Sequence, residues 1–496
     1  MDSAKGQNNE TSETDFPQPH PTASINDKTA LAVKYLQDRS VPFISAQSST
    51  WSTDATAFNL RVPVKPALLI YARTAKHVQD VVDCGVAVGL KVSARGGGHS
   101  YTSLGLGGEN DHLVVDLTHM SSISVDPDTY IATVEAGARL GDVARELFDK
   151  GGRAISHGSC PAVGISGHIL HGGYGWASHN YGLALDWMVG ASVVLANGMH
   201  VHCSKTENCD LFWALRGAGS SFGIVTSYEL ATFAAPTSSI PFKVALDWQT
   251  EQQKIDGVTA LVAFVQNVPA DLNMRLSMHS SGGHNLEGVY YGNETGLSMI
   301  LDPLLKGSGG NLSMQPGTWI QGLEYYAERN SLTPSTNEHG NFFATSLTLK
   351  DLRGEALTDF VRYWHNHALA FTRGGWFVQL DVHGGANSAI SAVSNTATAY
   401  AHRDKTFLIQ FYHFSGNDEP YPSDGIDILR NWVDVTITTM NDGDYGMYIN
   451  YSDSQLDRGT AEKLYWAGNL DRLKLIKKAF DPFELFYYPQ SIEPAK

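Results

Sequence analysis

The residues of this chain best suited to holding a reactive ligand are two glycine-rich runs. The first is KVSARGGGHSYTSLG, Lys91–Gly105, and the second is GSCPAVGISGHILHGGYGW, Gly158–Trp176. Glycine adds no packing and loses the most conformational freedom on folding, so runs of it mark places where backbone approaches a ligand or takes up positive φ. Read singly, either run is equally a surface turn. Together, one offers an imidazole, His99, and the other a thiol, Cys160, which suggests one extended ligand gripped from two sides. Neither run continues into the Gly-Lys-Ser/Thr of a phosphate loop, and no standard dinucleotide fingerprint is present.

Further along, alternation in WFVQLDVHGG places Phe377, Gln379, Asp381 and His383 on one face of a strand, with Trp376, Val378, Leu380 and Val382 on the other. Such a polar row is either a solvated face or a pocket wall, and Asp381 is its informative member. MYINYSD reads as another strand, in which parity separates Tyr448 from Tyr451, so one tyrosine only should share the pocket. His157, His168, His171 and His179 raise a metal reading. No carboxylate or thiolate beyond Cys160 completes a ligand set, so no metal is expected.

These groups need two kinds of scaffold. From about Pro63 to Phe233, short strand-like runs alternate with helical ones: ALLIYAR, then TAKHVQDVVDCGVAVGL with Thr74 as cap, then KVSAR, HLVVDL, YIATVEAG, RLGDVARELFDKG and WMVGASVVLANG. After about Pro236 the texture changes to period-2 runs such as FKVALDW, MRLSMHSS, FFATSLTLK and FLIQFYHF, the pattern of an antiparallel sheet with one packed face and one working face. A C-terminal helix and an aromatic segment follow. The chain has 496 residues, 42% of them apolar and 17% charged, so two large lobes are expected.

Net charge is 35 − 51 = −16 without a dense Lys/Arg run, which argues against nucleic acid and anionic membranes as partners. No apolar stretch approaches a membrane span. Residues 1–28 are polar, lack the apolar core of a secretory signal and read as a disordered tail. Four cysteines, Cys84, Cys160, Cys203 and Cys209, are too few for a disulfide scaffold; Cys203 and Cys209 are either bridged or two thiols. Sequons at Asn9, Asn293, Asn311 and Asn450 matter only in a secreted protein.

Six segments in order, RGGGHS, GSCPAVGISGHILHGGYG, DLFWALRGAGSSFGIVTS, WFVQLDVHGG, MYINYSD and FDPFELFYYPQSI, resemble the flavoprotein oxidases of the vanillyl-alcohol oxidase and berberine-bridge-enzyme type. Within them the chain is most similar to the fungal gluco- and chito-oligosaccharide oxidases, from roughly Leu31 to Gln490. The resemblance implies an α+β fold in two lobes. An α/β FAD-binding lobe would span 29–235, a substrate lobe on a large antiparallel sheet flanked by helices 236–445, and a segment closing on the first lobe 446–496. It also implies FAD attached twice, through the His99 imidazole to the flavin 8α carbon and through the Cys160 sulfur to C6. Arg95, Gly96, Gly97, Gly98 and Ser100 would bring main-chain N–H groups to the pyrophosphate. Val163, Gly164, Gly167, Gly223, Ile224, Tyr488 and Gln490 would line the flavin. Tyr451 would be the general base, Asp381 its hydrogen-bonded partner, and Tyr101, Tyr174, Gln379 and Gln410 the substrate pocket.

The chemistry is coherent. An alcohol or hemiacetal carbon donates hydride only as its hydroxyl loses a proton, and a phenol with pKa near 10 needs an acceptor to serve as base near neutrality. The expected function is an FAD-linked oxidase that takes hydride from a C–OH carbon and returns the electrons to dioxygen as hydrogen peroxide. Two substrates compete: a reducing-end sugar oxidised to a lactone, and an alcohol in fungal natural-product biosynthesis. The leaderless start favours the second and an intracellular location, which an upstream signal sequence would reverse. Rival readings are flavin-dependent oxidative cyclisation, a non-redox cyclase, or a carbohydrate-binding or carrier protein without chemistry. Expected partners are the small substrate and dioxygen, with the chain a monomer.

Overall fold

The computed structural model describes residues 23–308, 310–335 and 338–496. Most of the expected tail, and the Asn9 sequon, lie outside these residues. Its last part is ordered, because Ser24 accepts a hydrogen bond from the Asp27 N–H at 3.2 Å and so caps the helix Ile25–Asp38.

Residues 43–234 build three sheets. In the first, Leu68–Tyr71, Leu113–Asp116 and Val92–Arg95 lie parallel in that spatial order, with Phe43–Ile44 antiparallel at the edge. Thr74 caps the intervening helix Ala75–Val88, accepting from the His77 N–H at 3.2 Å, and Gly89 ends it at φ 70°. The second sheet is antiparallel and five-stranded, with Ile224–Leu230 at its centre. The third is a two-stranded pairing of Arg153–Ala154 with Phe233–Ala234.

From Ile240 onward the strands belong to one eight-stranded antiparallel sheet, in which Leu272–His279, Gly375–Val382, Phe407–Ser415 and Asn341–Leu349 are neighbours in that order. Parity along Gly375–Val382 follows the sequence pattern. Trp376, Val378, Leu380 and Val382 are at most 1% exposed and face helices, Trp376 meeting Trp432 of the helix Asp424–Ile437 edge-on at 5.5 Å. Phe377 and Gln379 lie on the other side, half-buried. The large apolar rings therefore pull one face onto the helices and leave the polar row to the working face.

Two expected elements differ. MYINYSD is no strand: after the short pairing at Tyr445–Gly446 the chain leaves the sheet and turns through a 3-10 segment, Ile449–Tyr451. Tyr448 and Tyr451 are then three residues apart on a tight turn, and their rings meet edge-on at 5.1 Å. The C-terminal helix is two, Arg458–Trp466 and Leu470–Phe480, broken at Ala467, which sits at φ 42°.

The aromatic segment is hydrogen-bonded to residues between 43 and 234. The Val92 N–H donates to Leu485 O at 3.0 Å, and the Ser221 hydroxyl donates to the Tyr488 hydroxyl at 3.2 Å. Cys203 and Cys209 are two thiols, the first buried and the second exposed. Among the described residues no helix is long and apolar enough to cross a membrane, and no cluster of metal-ligating side chains occurs.

Candidate active site

The two glycine runs meet. A Cβ on Gly97 would fall on the main-chain nitrogen of Gly164, and a Cβ on Gly164 would fall on that of Gly97. Only two glycines permit this approach. Gly98 follows at φ 76°, turning the chain so that His99 lines a cavity of about 440 Å³, and Cys160 lines the same cavity. At Gly167 nothing lies within 4 Å of where a Cβ would stand, so that position opens the wall.

Gly96, Gly97, Gly98 and Ser100 contribute to this wall, as do Val163, Gly164 and Gly167. Gly223, Ile224, Tyr488 and Gln490 supply another side of it. Gln490 donates to the carbonyls of Asp453 at 2.7 Å and Leu456 at 3.1 Å, which ties the C-terminal segment to the turn after Tyr451. The Arg95 side chain turns behind the loop. Its Nε donates to Asp116 Oδ2 at 2.5 Å and its Nη1 to the Asp54 carbonyl at 2.5 Å, since Asp116, 1% exposed, needs a counter-charge.

The cavity suits the cofactor that the sequence implies. Its wall includes glycine main chain from both runs beside apolar Leu117, Val225 and Phe486, and among the described lining residues there is no Lys or Arg. An anionic pyrophosphate would be met by N–H groups rather than side-chain cations. Burial, reinforced by the Arg139 guanidinium, pulls the His99 imidazole down to about 4, so it is neutral near pH 7 and retains a nucleophilic nitrogen.

On the sheet side, register sets the residues in rows. Phe377 pairs with Tyr412, Gln379 with Gln410, and Asp381 with Leu408. On the other flank Arg275 pairs with Asp381 and Ser277 with Gln379. Phe377, Tyr412 and Phe342 stack, with centroids 4.7 and 4.6 Å apart. Tyr101 reaches in from the first glycine run: the Gln410 amide donates to its hydroxyl at 3.0 Å, and its ring lies parallel to Tyr451 at 6.2 Å.

Asp381, 2% exposed, is pushed up to about 6, chiefly by burial; Arg275 opposes the rise and Glu287 adds to it. Its hydrogen bond comes from Tyr174, not from the expected Tyr451. Tyr451 feels Asp381 as charge: burial and then that carboxylate hold its phenol well above its ordinary pKa, as they do for Tyr174. Tyr174 is brought here by the second glycine run. Gly172 sits at φ 136° against the Tyr448 ring, and the Tyr448 hydroxyl accepts the N–H groups of Gly173 and Tyr174 at 2.9 and 3.2 Å. Tyr448, which strand parity had sent away, is thus the support beneath Tyr174.

Two residues went unread in the sequence. Arg275 donates through Nε to Glu287 at 2.8 Å and through Nη1 to Gln379 at 3.0 Å, while its guanidinium lies 4.4 Å over Trp176. Arg139 donates to the Gly97 carbonyl at 2.8 Å and the Ala162 carbonyl at 2.5 Å. Neither sits in a glycine-rich or otherwise distinctive motif. His383, placed on the working face by parity, is fully buried beyond the strand end and bonds the Tyr400 hydroxyl at 2.9 Å.

Comparison with known proteins agrees with this geometry. Residues 66–204 match the FAD binding domain family and residues 447–493 the berberine and berberine-like family. A xylooligosaccharide oxidase of Thermothelomyces thermophilus is 43% identical over 483 residues, covering 96% of each chain. The FAD-linked oxidoreductase dpmaF of Metarhizium anisopliae is 42% identical over 465 residues, covering 93% of this chain and 90% of that one. Among solved structures, glucooligosaccharide oxidase from Acremonium strictum, described with a 6-S-cysteinyl, 8α-N1-histidyl FAD, aligns with a TM-score of 0.89 at 42% identity, over 95% of this chain and 100% of that one. With a glycine cradle for the flavin on one side and a carboxylate-phenol face on the other, the chain belongs to the FAD-linked oxidases of the oligosaccharide-oxidase and berberine-bridge type, enzymes that oxidise CH–OH groups with dioxygen as acceptor.

Proposed function

We propose that this chain oxidises the reducing-end C1–OH of an oligosaccharide to a lactone, with FAD held through both His99 and Cys160. The carrying observation is the row order on the sheet: the aromatic row Phe377–Tyr412 lies beside the polar row Gln379–Gln410, which lies beside Asp381. A sugar ring presents C–H faces to aromatic rings and hydroxyls to amides, so this order suits a pyranose whose anomeric end lies nearest the carboxylate.

Bound FAD would accept the hydride and return the electrons to dioxygen as hydrogen peroxide. The chain's own residues manage the proton. Tyr451 is protonated at rest, so the substrate proton it takes must be matched by loss of its own. Asp381, ionised above about pH 6, is the base that would receive that proton. Tyr174 fixes the carboxylate by donating to it, and Tyr448 fixes Tyr174. Tyr101 and Gln410 act as a pair that closes the groove from the cofactor side.

The similarity to dpmaF favours a second reading, a natural-product alcohol in place of the sugar. Purified protein should keep its yellow colour through acid precipitation and release peroxide with cello-, xylo- or chito-oligosaccharides. Peroxide with none of these but with apolar alcohols would favour the second reading. Reduction of the flavin without peroxide would overturn oxidase chemistry.

A further inference from the structure

Arg139 is bonded to both glycine runs at once. It stands at the entry to the helix Leu140–Asp149, and the backbone around it is zipped to the second run: Leu140 N–H to Val163 O at 2.9 Å, Gly141 N–H to Pro161 O at 3.0 Å and Ile165 N–H to Ala138 O at 2.9 Å. From this anchored position a single nitrogen, Nη1, donates to Gly97 O, two residues before His99, and to Ala162 O, two residues after Cys160. We infer that Arg139 is the positioning residue for the double attachment, setting the separation between the His99 imidazole and the Cys160 sulfur so that one flavin ring meets both. The inference rests on the two-bond reading above.

Three features support it. The guanidinium is planar and anchored by its backbone neighbours, so its two bonds fix the loops in direction as well as distance. The facing glycines leave no side chain between the loops to set their spacing. The charge is felt at both attachment points: it depresses the His99 imidazole, and Cys160 in turn acts on Arg139. Each attachment replaces one flavin hydrogen and one protein hydrogen by a C–N or C–S bond. The two protons and two electrons leave to dioxygen as hydrogen peroxide, the acceptor the oxidase already uses. Proximity governs such a step, and Arg139 bonds both loops through one nitrogen.

The test is the attachment pattern of purified, as-expressed protein, read by intact mass and by mass of the flavin-bearing peptides, for wild type, Arg139→Gln and Arg139→Lys. In Arg139→Gln the share of chains carrying both bonds should fall at least about tenfold, because misplacement by roughly 1 Å costs up to about 10²-fold in such reactions. Chains with one bond, through either His99 or Cys160, should replace them. Arg139→Lys keeps the charge but holds one carbonyl at a time and should lie between. If Arg139→Gln does not fold, Arg139→Lys decides alone. Doubly attached flavin at the wild-type share in a folded variant overturns the inference, even if melting temperature drops, since a merely structural arginine would lower stability and leave the bonds. Wild-type protein that loses its flavin to acid overturns the two-bond reading itself, and this inference with it.

Discussion

On the cofactor side Gly97 of the first run lies main chain to main chain against Gly164 of the second; on the substrate side a strand works through its side chains, with Phe377 lining the cavity and Gln379 and Asp381 further along the same row. The two sides should fail in opposite ways. The cradle works by what is missing, so adding an atom breaks it. The sheet face works by what protrudes, so removing an atom breaks it, and the fold beneath, carried by the Trp376 face, should not notice.

The sharpest break is on the sheet side. Tyr451→Phe removes one oxygen and should slow anaerobic flavin reduction by about 10²–10⁴-fold, the usual size of a general-base contribution, with flavin content unchanged. Adding Asp381→Asn should cost far less than the product of the single effects, because the two handle one proton. Rapid-mixing absorbance measures both, and near wild-type reduction by Tyr451→Phe would remove that phenol from the mechanism.

Gly97→Ala tests the other side. One methyl placed on the Gly164 main chain should cost up to about 3 kcal/mol of stability and strip flavin from the purified protein, since backbone cannot move aside as a side chain can. Melting temperature and the flavin-to-protein absorbance ratio report it. A stable, fully flavinylated Gly97→Ala protein would mean that the loops do not need this contact.

A smaller effect sharpens the electrostatics. The Asp381 carboxyl lies at about 6 with Arg275 holding it down, so kcat/KM should rise as pH passes upward through about 6 and the base ionises. Arg275→Met removes the opposing cation, so the carboxyl should rise and the acid limb should move to higher pH by about one unit. An unmoved limb would assign it to another group. The smallest change expected is in Gln379→Ala, which should raise KM for a sugar by about tenfold with kcat nearly kept, as one lost hydrogen bond of about 1.4 kcal/mol does.

Local chemistry was readable along the chain. Glycine spacing marked where backbone must come close, Thr74 marked the start of a helix, and parity in WFVQLDVHGG separated Trp376 from Asp381, because each of these follows from backbone geometry within a few residues. MYINYSD misled for the same reason. Its alternation matches a strand, and only the end of sheet pairing at Gly446 turns it into a tight turn that sets Tyr448 and Tyr451 side by side.

The sequence by itself determined the inventory: a histidine and a cysteine each tied to a glycine run, and an acid and a tyrosine on later segments. Tertiary structure decided who partners whom. Asp381 takes its hydrogen bond from Tyr174 of the first lobe, Arg95 turns to Asp116 and away from the cavity, and Arg139 and Arg275 find their work across loops and strands remote in sequence. The physical reason is range. Capping, parity and turn preference are set by bonds between near neighbours, whereas a buried charge takes its partner from whatever the packed chain brings within a few ångströms, and no local pattern records that.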